Sequence, residues 1–307
     1  MILSAFVEVL LPVIVVVGCG YALRRTLPLD LRSLNRVSLY VLSPALIFVT
    51  LIRIDVTGGE AVRVAGLSVL LIFALGALTL LCARPLRLNR PTVSALLLAI
   101  MFMNAGNYGL PTARFAFGED GFQRALLFYL PQTILSQVMA IVIAQAGSGD
   151  WKIAVQRIFR MPQVYAAAAG LLLRFSGLKL EGRTDALGGI FSGFVLMSEA
   201  TLPLLLLLLG MQLAQGVAIE ERGLTTMAVG LRLLASPLLA LGLALLLGMD
   251  DLSLRVAVLE AGMPTAVNMV LFSLEFDARP RFVAGVTVAS TLLSLATLTF
   301  TLALLRM

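Results

Sequence analysis

Met103-Asn104-Ala105-Gly106-Asn107-Tyr108-Gly109-Leu110-Pro111-Thr112 interrupts an apolar segment that runs from about residue 92 to 115. Two amides, two glycines and a proline fall within eight residues, too dense for a simple helix kink. A proline inside a helix costs about 3 kcal/mol and a glycine about 1 kcal/mol relative to alanine. The spacing therefore predicts a helix that stops and restarts. Its freed backbone groups must lie inside protein or along a wet cavity. Leu259-Glu260-Ala261-Gly262-Met263-Pro264-Thr265-Ala266-Val267-Asn268 breaks a second apolar segment in the same way. Pro111 and Pro264 are 153 residues apart, half of the 307 in the chain. Leu42-Ser43-Pro44-Ala45-Leu46 and Thr201-Leu202-Pro203-Leu204-Leu205 place two more mid-segment prolines 159 apart. Two halves, 1–150 and 151–307, account for both offsets. With five spans in each half, the odd number forces opposite orientations, an inverted repeat.

Composition supports that reading. Hydrophobic residues make up 60% of the chain, charged residues 13%, and mean hydropathy is +1.00. An ordinary soluble protein has about 25% charged residues, so a soluble globular domain and a disordered chain are both excluded. The apolar runs are continuous, unlike the alternating strands of a membrane barrel. An all-α polytopic membrane protein is expected, with ten transmembrane helices at about 2–23, 35–52, 62–83, 92–115, 123–146, 160–177, 186–208, 224–247, 252–276 and 282–305. The first lacks a basic leader and is not read as a cleavable signal peptide, because Arg24 and Arg25 follow the apolar run. Loops after odd-numbered spans hold thirteen Lys and Arg, against nine on the other side. The positive-inside rule then puts both termini on the outer, periplasmic face of a bacterial inner membrane. Trp151, in the longest cytoplasmic connection, is expected as an interface anchor.

The chain has no His, so no His-based metal site, triad or proton relay is available. Cys19 and Cys82 lie in apolar runs and form no disulfide framework. No Asp pair within a span and no G-x-S-x-G motif supports an enzyme, no cofactor is implied, and no basic patch suggests nucleic acid. The site chemistry falls to the two breaks. Pro111 and Pro264 are expected to open second half-helices whose free N–H groups attract an anion. Asn104, Asn107 and Asn268 add neutral hydrogen bonds. Glu260, one turn before Pro264, is either a site for a coupling proton or cation or a partner for Arg232 in span 8. Arg232 itself either neutralises a substrate carboxylate or pairs within the protein. Glu199 stands before Pro203 in the same relation, and Glu8 is placed near the membrane surface.

The segment Asn104-Ala-Gly-Asn107-Tyr-Gly109-Leu-Pro111 resembles the fourth-helix signature of the auxin efflux carrier family, which includes bacterial members and the plant PIN-type carriers. Met263 to Asn268 resembles its ninth-helix counterpart, Tyr40 to Leu46 its second helix, and Gly210-Met211-Gln212-Leu213 the end of its seventh. The resemblance covers essentially the whole chain and implies a compact bacterial type without the long plant loop. It further implies the 5+5 inverted repeat of bile-acid sodium symporters. Helices 1, 2, 6 and 7 would form a scaffold, often dimeric, and helices 3–5 and 8–10 a moving transport domain, with Gln132 lining the site from the fifth helix, Ser43 from the scaffold, and Tyr40 either lining it or packing on lipid or a neighbouring helix. The implied function is elevator-type transport of a small or amphipathic organic anion, such as indole-3-acetate or a dicarboxylate. Coupling to a proton, to sodium or to neither stays open.

Overall fold

The computed structural model describes residues 2–144, 156, 158–216 and 219–305. Trp151 and the basic residues Lys152, Arg157 and Arg306 lie outside the described residues. The described chain forms eleven helices: α1 (Ile2–Thr26), α2 (Leu31–Arg53), α3 (Gly58–Ala83), α4 (Arg90–Met101), α5 (Leu110–Ala144), α6 (Pro162–Ser176), α7 (Ala186–Leu213), α8 (Arg222–Leu246), α9 (Asp251–Ala261), α10 (Asn268–Glu275) and α11 (Pro280–Leu305). Among the described residues there is no strand beyond one isolated bridge. Helices α1, α2, α3, α7, α8 and α11 are long and apolar enough to cross a membrane.

Polar caps set many of the helix starts. Asp30, Thr57, Asn89, Asp185 and Asp250 each accept a backbone N–H from the first turn of the helix they precede. These bonds replace the partners that a helix N-terminus lacks. They begin α2, α3, α4 and α9 one to four residues before the apolar runs do, at polar residues that hydropathy passes over. Asp185 also accepts from Arg183, whose guanidinium holds the carboxyl down at about 2.

Prolines shape the helices further on. Five-residue π turns at Phe6–Leu10, Ser38–Leu42, Ala105–Gly109 and Leu231–Ala235 each end one residue before an X-Pro pair, at Pro12, Pro44, Pro111 and Pro237. The residue before each proline bonds five residues back, as Leu110 N–H does to Ala105 O. The ring of a proline clashes with the carbonyl of the preceding turn, and an extra residue in that turn moves the carbonyl aside. Pro131 and Pro203 sit inside helices without such a turn. Helix α5 is divided at Gly118, whose φ of 67° and ψ of −157° suit only glycine. The division falls between the expected fourth and fifth segments.

The chain forms two compact units: Met1–Val13, Val56–Val155 and Gln215–Met307 make one, and Ile14–Asp55 with Gln156–Ala214 the other. In the second unit, Phe48 of α2 packs at 5.0 Å on Phe194 and at 6.5 Å, edge-on, on Phe191. Thr201 Oγ1 donates to Leu42 O at 3.0 Å, joining the two proline-bearing helices α2 and α7. Helices α1 and α7 meet through glycines. A Cβ on Gly20 would strike Leu207 O, and one on Gly210 would strike Val17 O. Both obstacles are backbone and cannot swing away. Gly210→Val should therefore destabilise the detergent-solubilised protein by about 1–3 kcal/mol. Gly18→Ala, where an added Cβ meets nothing within 4 Å, should leave the melting temperature unchanged or raise it. Thermal unfolding of the two variants checks the pair.

Candidate functional site

The first unit contains both interrupted segments, and their loose ends bind one another. Helix α4 stops at Met101, and Phe102 turns extended with φ −112° and ψ 115°. Met103 and Thr265 form an antiparallel bridge. Asn104 N–H donates to Pro264 O at 2.8 Å, and Ala266 N–H to Phe102 O at 2.9 Å. Thr265 Oγ1 donates to Ala99 O at 2.7 Å, and Thr265 N–H to Ser290 Oγ on α11 at 3.2 Å. Each break thus supplies the hydrogen bonds that the other lost.

This geometry corrects the expected role of both prolines. Pro264 does not open a half-helix. It lies in the extended crossing, where its missing N–H leaves no gap and its carbonyl is used. Helix α10 restarts only at Asn268. Pro111 stands at the second position of α5, but the winding has already begun with the π turn at Ala105. The N–H groups at that restart therefore belong to residues near 105–107 rather than to those around Pro111.

Arg232, in the π turn of α8, is fully buried. Its guanidinium donates to Ile100 O and to Ala261 O, both at 2.6 Å, and to Ser236 Oγ. Ile100 and Ala261 occupy the last turns of α4 and α9. One cation therefore caps the negative ends of both first half-helices. The pairing with Glu260, one of the two readings open from the sequence, is not formed; no ion pair joins the two. The helix ends hold the guanidinium instead.

Beyond the crossing lies a cavity of about 440 Å³, counting its open mouth. The broken segments contribute Phe102, Met103, Asn104, Gly106 and Asn107 on one side, and Ala266, Val267, Asn268 and Met269 on the other. Tyr129, Gln132, Thr133 and Ser136 of α5 complete the lining. No charged side chain is among these residues. Gln132 Nε2 donates to Met103 O at 2.5 Å, which fixes the amide and turns its Oε1 away from a partner. Asn104 is 5% exposed, and its Nδ2 has no partner in the protein.

Glu260 is fully buried on α9, and neither carboxylate oxygen has a hydrogen-bond partner. The carboxyl occupies the place where a Cβ on Gly109 would lie. That Cβ would sit 2.7 Å from the carboxyl carbon and from Oε1, and closer still to Oε2. Gly109 is thus required by Glu260 and is not part of the cavity lining.

A family model described as "Membrane transport protein" matches residues 151–302. An uncharacterized transporter of Methanothermobacter thermautotrophicus is 30% identical over 302 residues, covering 97% of this chain and 98% of the relative. The chain belongs to the auxin efflux carrier family of membrane transport proteins. An uncharacterized transporter of Methanocaldococcus jannaschii is 24% identical over 269 residues, 86% of each chain. The carrier is therefore an integral, multi-pass membrane protein of a transporter family.

Of the residues expected at the site, the structure brings Asn104, Asn107, Gln132 and Asn268 to one cavity. Gly109, Pro111 and Pro264 are not among its lining residues. Tyr40, 58% exposed, buried Ser43 and exposed Glu199 belong to the second unit and do not line it. Thr133 and Ser136 were not singled out from the sequence. Their signal is the spacing 129, 132, 133, 136, which places four polar-tipped side chains on one face of a helix.

The Arg232 contacts carry a stability prediction. Arg232→Met leaves the buried Ile100 carbonyl without its side-chain donor, an omission costing about 1–3 kcal/mol, and leaves Ala261 O with the Ser236 hydroxyl alone. The variant should melt well below the parent in detergent. Arg232→Lys, with a point charge in place of a fork, should recover only part of the difference.

Proposed function

We infer that the carrier is a secondary transporter of a small or amphipathic organic anion, such as an auxin-like carboxylate, held at the crossing of the broken helices. One observation carries the reading: a cavity lined by four amides, at the start of two restarting helices, with no fixed charge in its walls. Helix N-termini attract anions, and amides hold a carboxylate without binding it irreversibly. In this reading α4 with the segment from Ala105 is the fourth of ten spans, α9 with α10 is the ninth, and the halves form a 5+5 inverted repeat. The second unit, with most of α1 together with α2, α6 and α7, serves as the scaffold and the dimer surface. The first unit moves as the transport domain in an elevator cycle. The termini face the periplasm of a bacterial inner membrane, as the Lys and Arg distribution favours. The unpartnered carboxyl of Glu260 favours an ion-coupled cycle over simple facilitated passage. A dicarboxylate is the competing substrate class.

The test is uptake of labelled indole-3-acetate, malate and malonate into liposomes containing the purified protein, with and without proton or sodium gradients. At least one anion should accumulate. Asn107→Ala should weaken its binding about ten- to a hundredfold, the loss of a hydrogen bond to a charged group, with the fold intact. A folded protein that moves none of the three overturns the reading.

A further inference from the structure

We propose that the anion cavity and Glu260 share room for one negative charge, so that each monoanion is carried together with one proton on the Glu260 carboxyl, and dianions are rejected. The proposal deepens the anion-site reading above and rests on it.

The argument begins with a count of charges. Each restarting helix offers about half a positive charge at its N-terminus. Two such ends, at Ala105 and Asn268, together match one carboxylate and not two. Asn104 points to the same occupant independently: it lines the cavity, and its buried amide nitrogen has no partner in the protein. No Lys or Arg lines the cavity to balance a second charge. Arg232 is committed to two helix ends.

The second step is distance. Gly106 and Asn107 line the cavity. Gly109, within the same five-residue π turn, touches the Glu260 carboxyl. A bound anion and Glu260 therefore stand on the same turn of backbone. Two unit charges about 8 Å apart in a partly screened interior change each other's binding roughly thirtyfold. Nothing nearby offsets that repulsion. The elements packed on α9 are α3, α5, α8, α11 and the π turn. Their ionisable groups at this level are Arg232, held on carbonyls, and the hydroxyls of Tyr108 and Tyr129. Glu60, Arg63 and Arg124 lie toward the end of α9 that carries Asp251 and Arg255, Arg114, Glu119 and Asp120 flank the division of α5 at Gly118, and Arg222 and Arg281 begin α8 and α11 at the opposite end.

An anion in the cavity thus favours protonated Glu260, and by linkage a proton on Glu260 favours the anion to the same degree. The proton is taken from water on the side that supplies the anion, rides on a Glu260 carboxyl oxygen and is released with the anion on the other side. Net charge moved is zero. Glu260 acts through the field at the site and touches no substrate, so it is a positioning and coupling residue.

The probe is naphthalene-1-sulfonate, whose own charge does not change between pH 5.5 and 8, compared with indole-3-acetate and malonate. Binding to the full chain in nanodiscs is measured by calorimetry in buffers of differing ionisation enthalpy. Sulfonate should bind roughly ten- to thirtyfold more weakly at pH 8 than at pH 5.5, with proton uptake approaching one per anion across the transition. Glu260→Gln should bind it with a flat pH profile, near the acid-limit affinity. Malonate should bind at least tenfold more weakly than indole-3-acetate. Proton uptake by the parent protein tests the proposal even if Glu260→Gln does not fold. Sulfonate binding that depends on Asn107 but shows no proton uptake and no pH dependence overturns the proposal and leaves the anion site standing. A folded protein that binds none of the probes at any pH overturns the site itself and the proposal with it.

Discussion

Two helices that stop inside a membrane protein each expose a backbone with no water to bind, and here each break is closed by the other. The exchange between Phe102–Asn104 and Pro264–Ala266 replaces a few of the lost bonds. Arg232 then takes up carbonyls at the ends of both first half-helices. Neither device works for a single broken helix. The cavity depends on this mutual arrangement, because the same exchange that satisfies the first half-helices leaves the second ones starting beside open space. A hydrogen-bonded crossing on one side and an unfilled one on the other leaves the cavity where the proposed function places a ligand.

The prolines act less as breakers than as spacers. In four helices the backbone accommodates the ring by a π turn just upstream, and the helix continues. Only between α4 and α5 and between α9 and α10 does the chain part, and there glycine and amide residues accompany the proline. In the fourth segment the π turn has a second effect. It sets Gly106 and Asn107 toward the cavity and Gly109 against Glu260. Cavity and carboxyl are thus joined by backbone rather than by side chains that could change rotamer.

Much of this was legible in the sequence, for physical reasons that differ by residue. Apolar runs gave the helical segments because length and hydropathy are properties of the chain alone. Asn104, Asn107 and Asn268 stood out because amides are expensive in apolar helices unless they serve a purpose. Gln132 follows from the family resemblance. Arg232 was noticed for its charge, but its partners are carbonyls, which every residue possesses and no sequence distinguishes. Pro264 was misread because proline suits both the first turn of a helix and an extended bridge, and only the tertiary partner at Asn104 decides between them. Gly109 looked like a hinge or a ligand contact. Its reason is the volume of a carboxyl 151 positions away in the chain. Tyr40 and Ser43 were placed by family resemblance, and their assignment to the second unit rests on contacts no pattern encodes.

The neutrality of the cavity wall follows from what a carrier must do. A fixed guanidinium in a dry site would hold a carboxylate strongly and would itself be costly to bury whenever the site emptied. This chain does bury a guanidinium, but gives it carbonyl partners, so that its charge serves the framework. In the proposed site the ligand is left to amides and helix ends, whose partial charges need no counter-ion. Such a site gains discrimination from geometry and from total charge rather than from one strong ion pair. Affinity is then set by small differences, which suits a protein that must release on one side what it bound on the other.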